Sequence, residues 1–312
     1  MNQQENDLGD FMNEFCLISR NSELALKQAD IVKDSLNKNY PDLFVKIEGT
    51  TTLGDQILDK TLDKIGGKGL FIKELQKKLL DGSCDIAVHS LKDLSVDNND
   101  NFYCAAVLKR ENAQDAFISN KYNSLEDMPA NSVIGTSSAR RISLIKYFYP
   151  HLQVKLLRGN LQTRLKRLDN DEFDGIILAA AGLNRLNLSN RIKELLPVDR
   201  FVPAIGQGAI ALEVLAKRLD LMILLAVIDD DETFRAISIE RSIGLKLGAN
   251  CSTPIGVHVT IKGKMVNIYA FLVNDDGQSV FVTVSSDSSN YVDIVDKVVN
   301  EIAKKIRCTK DN

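Results

Sequence analysis

Short apolar runs ended by polar turns alternate along this chain with stretches whose apolar residues recur every three to four positions. FCLIS at 15–19 predicts a strand, and Ala25, Ala29, Val32 and Leu36 mark one face of a following helix capped at Ser22. LFVKIEG at 43–49 is a second strand. GGKGLFIKELQKKLLDG contains a second helix with Phe71, Leu75 and Leu79 inward, and DIAVHS is the third strand, completing β-α-β-α-β. A comparable order returns between 132 and 187: SVIGT, a helix over SSARRISLIKYFYP capped at Ser137 or Ser138, HLQVKLL, a helix over NLQTRLKRLDN, and DGIILAAAG. Two similar doubly wound α/β lobes facing each other across a cleft are the architecture this predicts.

FVPAIGQGAIALEV at 201–214 carries Pro203, Gly206 and Gly208 in an apolar stretch, and reads as a crossing that returns the chain to the first lobe. DETFRAISIERSIGLKLGAN then gives a helix with Ala236, Ile239, Ile243 and Leu247 on one face, ending near Gly248. A β-meander follows (IGVHVTI, MVNIYAFLV, QSVFVTV), and a last helix turns Val295, Val298, Val299, Ile302 and Ile306 inward. The expected domains are a first lobe of 1–108 with 206–226, a second lobe of 109–205, and a small C-terminal α+β domain of 227–312.

Composition narrows the function. A chain of 312 residues, 44% hydrophobic and 26% charged, is globular with two or three domains. A net charge of −3 argues against a general nucleic-acid or membrane-surface binder. The opening MNQQENDLGDFMNEF has four acids and no base before Arg20, the reverse of a targeting segment, and the apolar run LMILLAVI is far short of the ~20 residues that span a bilayer. Cys16, Cys84, Cys104, Cys251 and Cys308 form an odd, dispersed set without CxxC, which points to a reducing cytoplasm. His89 follows Cys84 and His258 follows Cys251, each a single pair and too little for a zinc site.

The candidate chemistry lies at element ends. Lys92 and Asp93 terminate the buried DIAVHS run where α/β ligands bind, although they read equally as a solvated pair. Arg20 and Ser22 at a strand-turn-helix junction make either an anion site or a plain cap. Arg140 and Arg141 fall in the first turn of a helix, where the macrodipole disfavours cations unless a fixed anion is present. Arg158, Gly159 and Arg164 repeat the arrangement, and Arg185 lies beyond the third strand of the second lobe. Lys146, Lys166 and Arg167 read as a solvated face. The segment TTLGDQILDKTLDKIGGKG, with Asp55 and Lys68, reads as a loop over the strand ends and lacks P-loop spacing.

Together, HSLKD at 89–93, GTSSARR at 135–141, LRGNLQTRL at 157–165, VPAIGQGA at 202–209 and CSTPIG at 251–256 resemble the porphobilinogen deaminase (hydroxymethylbilane synthase) family, over nearly the whole chain and in the family's order. The resemblance implies two lobes like those of bilobal periplasmic binding proteins and a C-terminal domain whose loop carries a cofactor cysteine. It implies no metal. It implies a dipyrromethane primer, fixed here through a thioether to Cys251, onto which four porphobilinogen units are condensed with loss of ammonia before hydroxymethylbilane is released. By family position, Asp93 is the catalytic carboxylate. Lys92, Ser90, Thr136, Ser138, Arg140 and Arg141 hold the cofactor's carboxylates with Asp93 and Cys251, and Arg20, Ser22, Arg158, Arg164 and Arg185 handle substrate. Phe71 packs either on a pyrrole or in the core. The family commonly has two glycines before the cysteine; here the chain reads GAN, and Asn250 tolerates a positive φ. A cytoplasmic monomer acting on a small molecule is the expectation, without nucleic acid or membrane.

Two other classes fit parts of the pattern. A bilobal small-anion sensor would use the lobes and arginines but leaves Cys251 and the third domain without a role. A cysteine-dependent acyl transferase would need a base and oxyanion donors, and only His258 is near Cys251 in sequence.

Overall fold

The computed structural model describes residues 14–52, 72–95, 100–249, 253–274, 276–287 and 290–308. Asp55, Lys68, Phe71, Asn250 and Cys251 therefore lie outside the described residues.

In the first lobe, β1 (Glu14–Arg20), α1 (Glu23–Asn39), β2 (Phe44–Thr50), α2 (Lys73–Leu80) and β3 (Ile86–Ser90) follow the expected order. The buried face of α1 is Ala25, Ala29, Val32 and Leu36, and the Ser22 side chain caps it by accepting from the Ala25 N–H. A 3-10 turn, Leu91–Asp93, ends β3, and β4 (Phe102–Val107) follows. β5 (Asp115–Ile118) belongs to the second lobe with β6 (Val133–Gly135), α3 (Ala139–Phe148), β7 (Gln153–Lys155), α4 (Leu161–Asp169), β8 (Gly175–Ala179), α5 (Ala180–Arg185) and β9 (Glu194–Leu195). Ser138 caps α3 and Asn160 caps α4.

The chain then returns: β10 (Ile210–Leu215) lies between β3 and β4, antiparallel to both. The two sheets have matching order, β2-β1-β3-β10-β4 and β7-β6-β8-β5-β9, each with four strands running one way and a single reversed strand, β10 or β5, between the third and the edge. Among the described strands β10 alone joins its sheet after the chain has passed through the other lobe, and two segments, 108–114 and 196–209, join the lobes. The expected DGIILAAAG strand is shorter than its apolar run. Its partner β5 ends at the Asp115–Ala179 pair, and the alanines beyond it, good helix formers, turn into α5.

α6 (Leu219–Leu225) leads to the third domain: α7 (Asp231–Lys246), the meander β11 (Ile255–Lys262), β12 (Met265–Val273) and β13 (Ser279–Ser286), and α8 (Tyr291–Cys308). Val295, Val298 and Ile302 are buried against the meander, with Val299 and Ile306 partly so. The other face of this sheet meets the second lobe through aromatics, Phe281 lying 5.5 Å from Phe148 and 4.9 Å from Phe271, ring centre to ring centre. Among the described residues no helix is long and apolar enough to cross a membrane.

Candidate active site

The parallel strand β3 runs out into the turn that carries Lys92 and Asp93, both half-buried. The crossing segment clamps this turn. Leu91 N–H donates to the Ala209 carbonyl at 3.0 Å, and Gly206, at φ 72°, lies so close that a Cβ there would sit 2.0 Å from Leu91 Cδ2 and 3.2 Å from the Lys92 nitrogen. Ser90 ties β3 to α1 by donating to Gln28 Oε1 at 3.0 Å.

Facing it, the N-terminus of α3 buries both Arg140 and Arg141. The anion that their position in the macrodipole demands is supplied from within. Asp115 Oδ2 accepts from Arg140 Nη1 at 2.8 Å, and Oδ1 accepts from Arg141 Nη2 at 2.7 Å and from Gln207 Nε2 at 2.9 Å. Burial alone would push the Asp115 carboxyl up, but the two guanidinium charges overcome it and hold it well below the usual carboxylate range. One carboxylate between two arginines leaves the cluster net positive. The Arg140 Nε is buried without a hydrogen-bond partner among the described residues.

The remaining cations converge on the same space. Burial pulls the Lys92 ammonium down to about 8, with Asp93 opposing and Arg141 and Arg164 adding to the shift. Arg164, whose Nε donates to the Gly159 carbonyl at 2.8 Å, is lowered to about 10 by burial, then by Arg141, against Asp93, with Arg158 and Arg20 contributing. Lys92, Asp93, Arg141, Arg164, Arg158 and Arg20 therefore share one field. A buried Nη1 of Arg158 has no hydrogen-bond partner among the described residues. Asp93 has no hydrogen-bond or ion-pair partner among them either.

Other expected site residues hold the frame. Thr136 is buried and its Oγ1 accepts from the Ser138 N–H at 3.3 Å, while Ser138 caps α3. Arg185 is held at the lobe crossing: its Nη2 donates to the Gly208 carbonyl at 2.6 Å, and burial lowers it to about 10 against the pull of Glu111.

The third domain reaches this cleft at the start of β11. A Cβ at Gly256 would lie 2.5 Å from the Val202 carbonyl oxygen, 2.9 Å from that of Pro203 and 3.1 Å from Arg140 Cδ. The strand begins at Ile255, four residues after Cys251, which lies outside the described residues. Glu240 of α7, fully buried, accepts from Arg110 Nη1 at 2.5 Å, from the Gly206 N–H at 2.8 Å and from the Val259 N–H at 2.9 Å. Arg110 Nε in turn donates to the Gln207 carbonyl at 2.8 Å.

Asp115, Gln207, Arg110 and Glu240 are absent from the sequence-based site. Two signals were available: Asp115 opens the otherwise apolar DAFI, and Glu240 falls on the inward face of its helix, four residues after Ala236.

The chain is a bilobal α/β protein whose cleft gathers cations around two carboxylates, Asp93 and Asp115, with a third domain docked at the lobe crossing. The model described as "Porphobilinogen deaminase, dipyromethane cofactor binding domain" matches residues 15–222, and "Porphobilinogen deaminase, C-terminal domain" matches 234–306. The chain is 46% identical over 295 residues to the porphobilinogen deaminase of Chromobacterium violaceum, covering 95% of this chain and 94% of that one. It is 45% identical to that of Laribacter hongkongensis, covering 95% of each. The chain belongs to the porphobilinogen deaminase family, whose members are transferases. Among solved structures, a putative methionine-binding lipoprotein of Bacillus subtilis is similar at 14% identity and a TM-score of 0.46, covering 71% of this chain and 92% of that one. That distant likeness adds nothing to what the sheets display.

Proposed function

We propose that this chain is a hydroxymethylbilane synthase that condenses four porphobilinogen molecules on a dipyrromethane held through Cys251. It acts as a cytoplasmic monomer divided as 1–108 with 206–226, 109–205 and 227–312. The observation that carries the reading is Asp93, a carboxylate without a hydrogen-bond partner among the described residues, set in a field of Lys92, Arg141 and Arg164. Every pyrrole of substrate and cofactor bears an acetate and a propionate. A net-positive cluster with unpartnered buried nitrogens on Arg140 and Arg158 fits such carboxylates. The cofactor supplies the nucleophilic ring carbon that starts the chain.

Asp93 hydrogen-bonds the pyrrole N–H of the incoming porphobilinogen. It offsets the positive charge that develops as ammonia leaves and the ring nitrogen releases electron density. Arg20, Ser22, Arg158, Arg164 and Arg185 serve the incoming ring. Lys92, Ser90, Thr136, Ser138, Arg140 and Arg141 orient the primer. A thiol rather than a hydroxyl at position 251 gives a thioether stable enough to persist through many turnovers.

The denatured intact mass of the purified protein, beside Cys251→Ala, tests the anchor: the expected excess is two condensed pyrrole units, absent from the variant. Asp93→Ala is expected to lower ammonia release about 10²- to 10³-fold, and Asp93→Glu far less. Equal turnover by both variants would remove Asp93 from its role. A bare-chain mass that persists after porphobilinogen is added would instead favour an anion-binding sensor.

A further inference from the structure

The sequence scatters its cysteines, yet the first-lobe sheet brings two of them together with an acid. Cys16 of β1, Glu48 of β2 and Cys84 just before β3 offer two sulfurs and a carboxylate oxygen, all within 4.8 Å of one another. Cys84 is buried, Cys16 is half-buried, and the Glu48 side chain is 30% exposed, so the group has a path to solvent. The three face the α2 side of the sheet, where Cys16 and Cys84 pack with Ile18, Leu75 and Leu79.

We propose that Cys16, Cys84 and Glu48 form a binding site for a thiophilic divalent cation, Zn(II) in the cell, with solvent as the fourth ligand. A tetrahedral Zn(II) holds sulfurs at about 2.3 Å and oxygens at about 2.0 Å, which sets ligand atoms roughly 3.5–3.8 Å apart. Cys84 Sγ already lies 3.8 Å from Glu48 Oε2. The other oxygen, Oε1, is held by Lys78 Nζ at 2.8 Å, the kind of outer contact that orients a ligating carboxylate while leaving its partner oxygen free.

Binding is an exchange without redox change: two thiols each give a proton to solvent and a carboxylate oxygen adds to the cation. The resulting excess of one negative charge is offset by Lys78 and by Lys46, whose field reaches both Cys16 and Glu48. The site lies four residues, ~13 Å along a strand, behind Arg20 and away from the cleft. It is independent of the pyrrole chemistry.

The test is a Cd(II) titration of the purified, cofactor-loaded protein, reduced with a non-chelating phosphine, reading the ultraviolet thiolate-to-metal charge-transfer band and the thermal midpoint. Expected are one equivalent bound, a higher midpoint, loss of the band in Cys16→Ala and in Cys84→Ala, at least tenfold weaker binding in Glu48→Gln, and no change in Cys104→Ala. Porphobilinogen turnover in metal-free buffer reports that the variants fold. If the buried Cys84 position does not tolerate Ala, Cys16→Ala alone decides the matter. A wild type without the band at one equivalent, or a band that survives Cys16→Ala, would overturn the proposal. A Cys16–Cys84 disulfide in the freshly isolated protein, seen as a mass two hydrogens short before reduction, would overturn it in favour of a thiol redox pair.

Discussion

Glu240 of the third domain grips Arg110 of the lobe crossing, Nη1 to Oε1 at 2.5 Å, and its Oε2 also takes the Gly206 N–H at 2.8 Å. One side chain thus joins the cysteine-bearing domain to the segment that clamps the Lys92–Asp93 turn. Glu240→Ala would strand a buried guanidinium and two backbone N–H groups, and is expected to cost about 3–5 kcal/mol in urea unfolding. The pH dependence has a definite sign. Burial pushes Glu240 up, but Arg110 and His258 outweigh it and the folded pKa is lowered. Its contribution is complete above an unfolded pKa of about 4.3 and is lost as pH falls through the lower folded value. Glu240→Gln should flatten stability against pH in that acid range.

Asp115 is a second internal counterion. Asp115→Asn keeps the shape but removes the charge shared by Arg140 and Arg141, and is expected to cost about 3–5 kcal/mol, measured the same way. The more positive cluster should then bind carboxylates better. Added polycarboxylate is expected to raise the thermal midpoint of the variant more than that of the wild type.

Gly256→Ala places a methyl 2.5 Å from the Val202 carbonyl oxygen and 2.9 Å from that of Pro203, both backbone atoms that yield only by moving the domain. The expected cost is about 1–3 kcal/mol. The fraction of molecules carrying the cofactor, read by intact mass, should fall with it.

Lys92 sets an alkaline limit. Burial pulls its ammonium down to about 8, so above that pH the cofactor-free protein loses a cation from the cleft, and the rate at which porphobilinogen loads the primer, followed by intact mass, is expected to fall as pH rises through 8. Stability moves the other way. Burial makes the charged form unfavourable, so the protein without ligand should gain stability between about 8 and the unfolded value of about 10.4. Lys92→Met should abolish both trends.

Local pattern carried the long helices, the parallel strands, the cap at Ser22 and the choice of Ser137 or Ser138 that Ser138 fills, but not the short helices 180–185 and 219–225, because amphipathic period and cap chemistry depend on residues a few positions apart. It also read Arg140 and Arg141 as needing an anion, since the macrodipole argument is local. Which anion was a question about strand β5, and the sequence alone had no way to pair Asp115 with residues 25 positions away. The same holds for Arg110 and Glu240, 130 positions apart.

From its own residues this chain determined the kinds of elements, the supply of arginines and the motif order that identifies its family. Tertiary structure alone decided that β10 slots between β3 and β4, that Asp115 neutralises only part of the arginine charge, and that Cys16, Glu48 and Cys84 meet. The physical reason is range. Period and capping act within a few bonds of chain, whereas strand register and buried charge pairing are settled by which distant segments share a sheet, and a one-residue shift of register would send every one of those side chains to the other face.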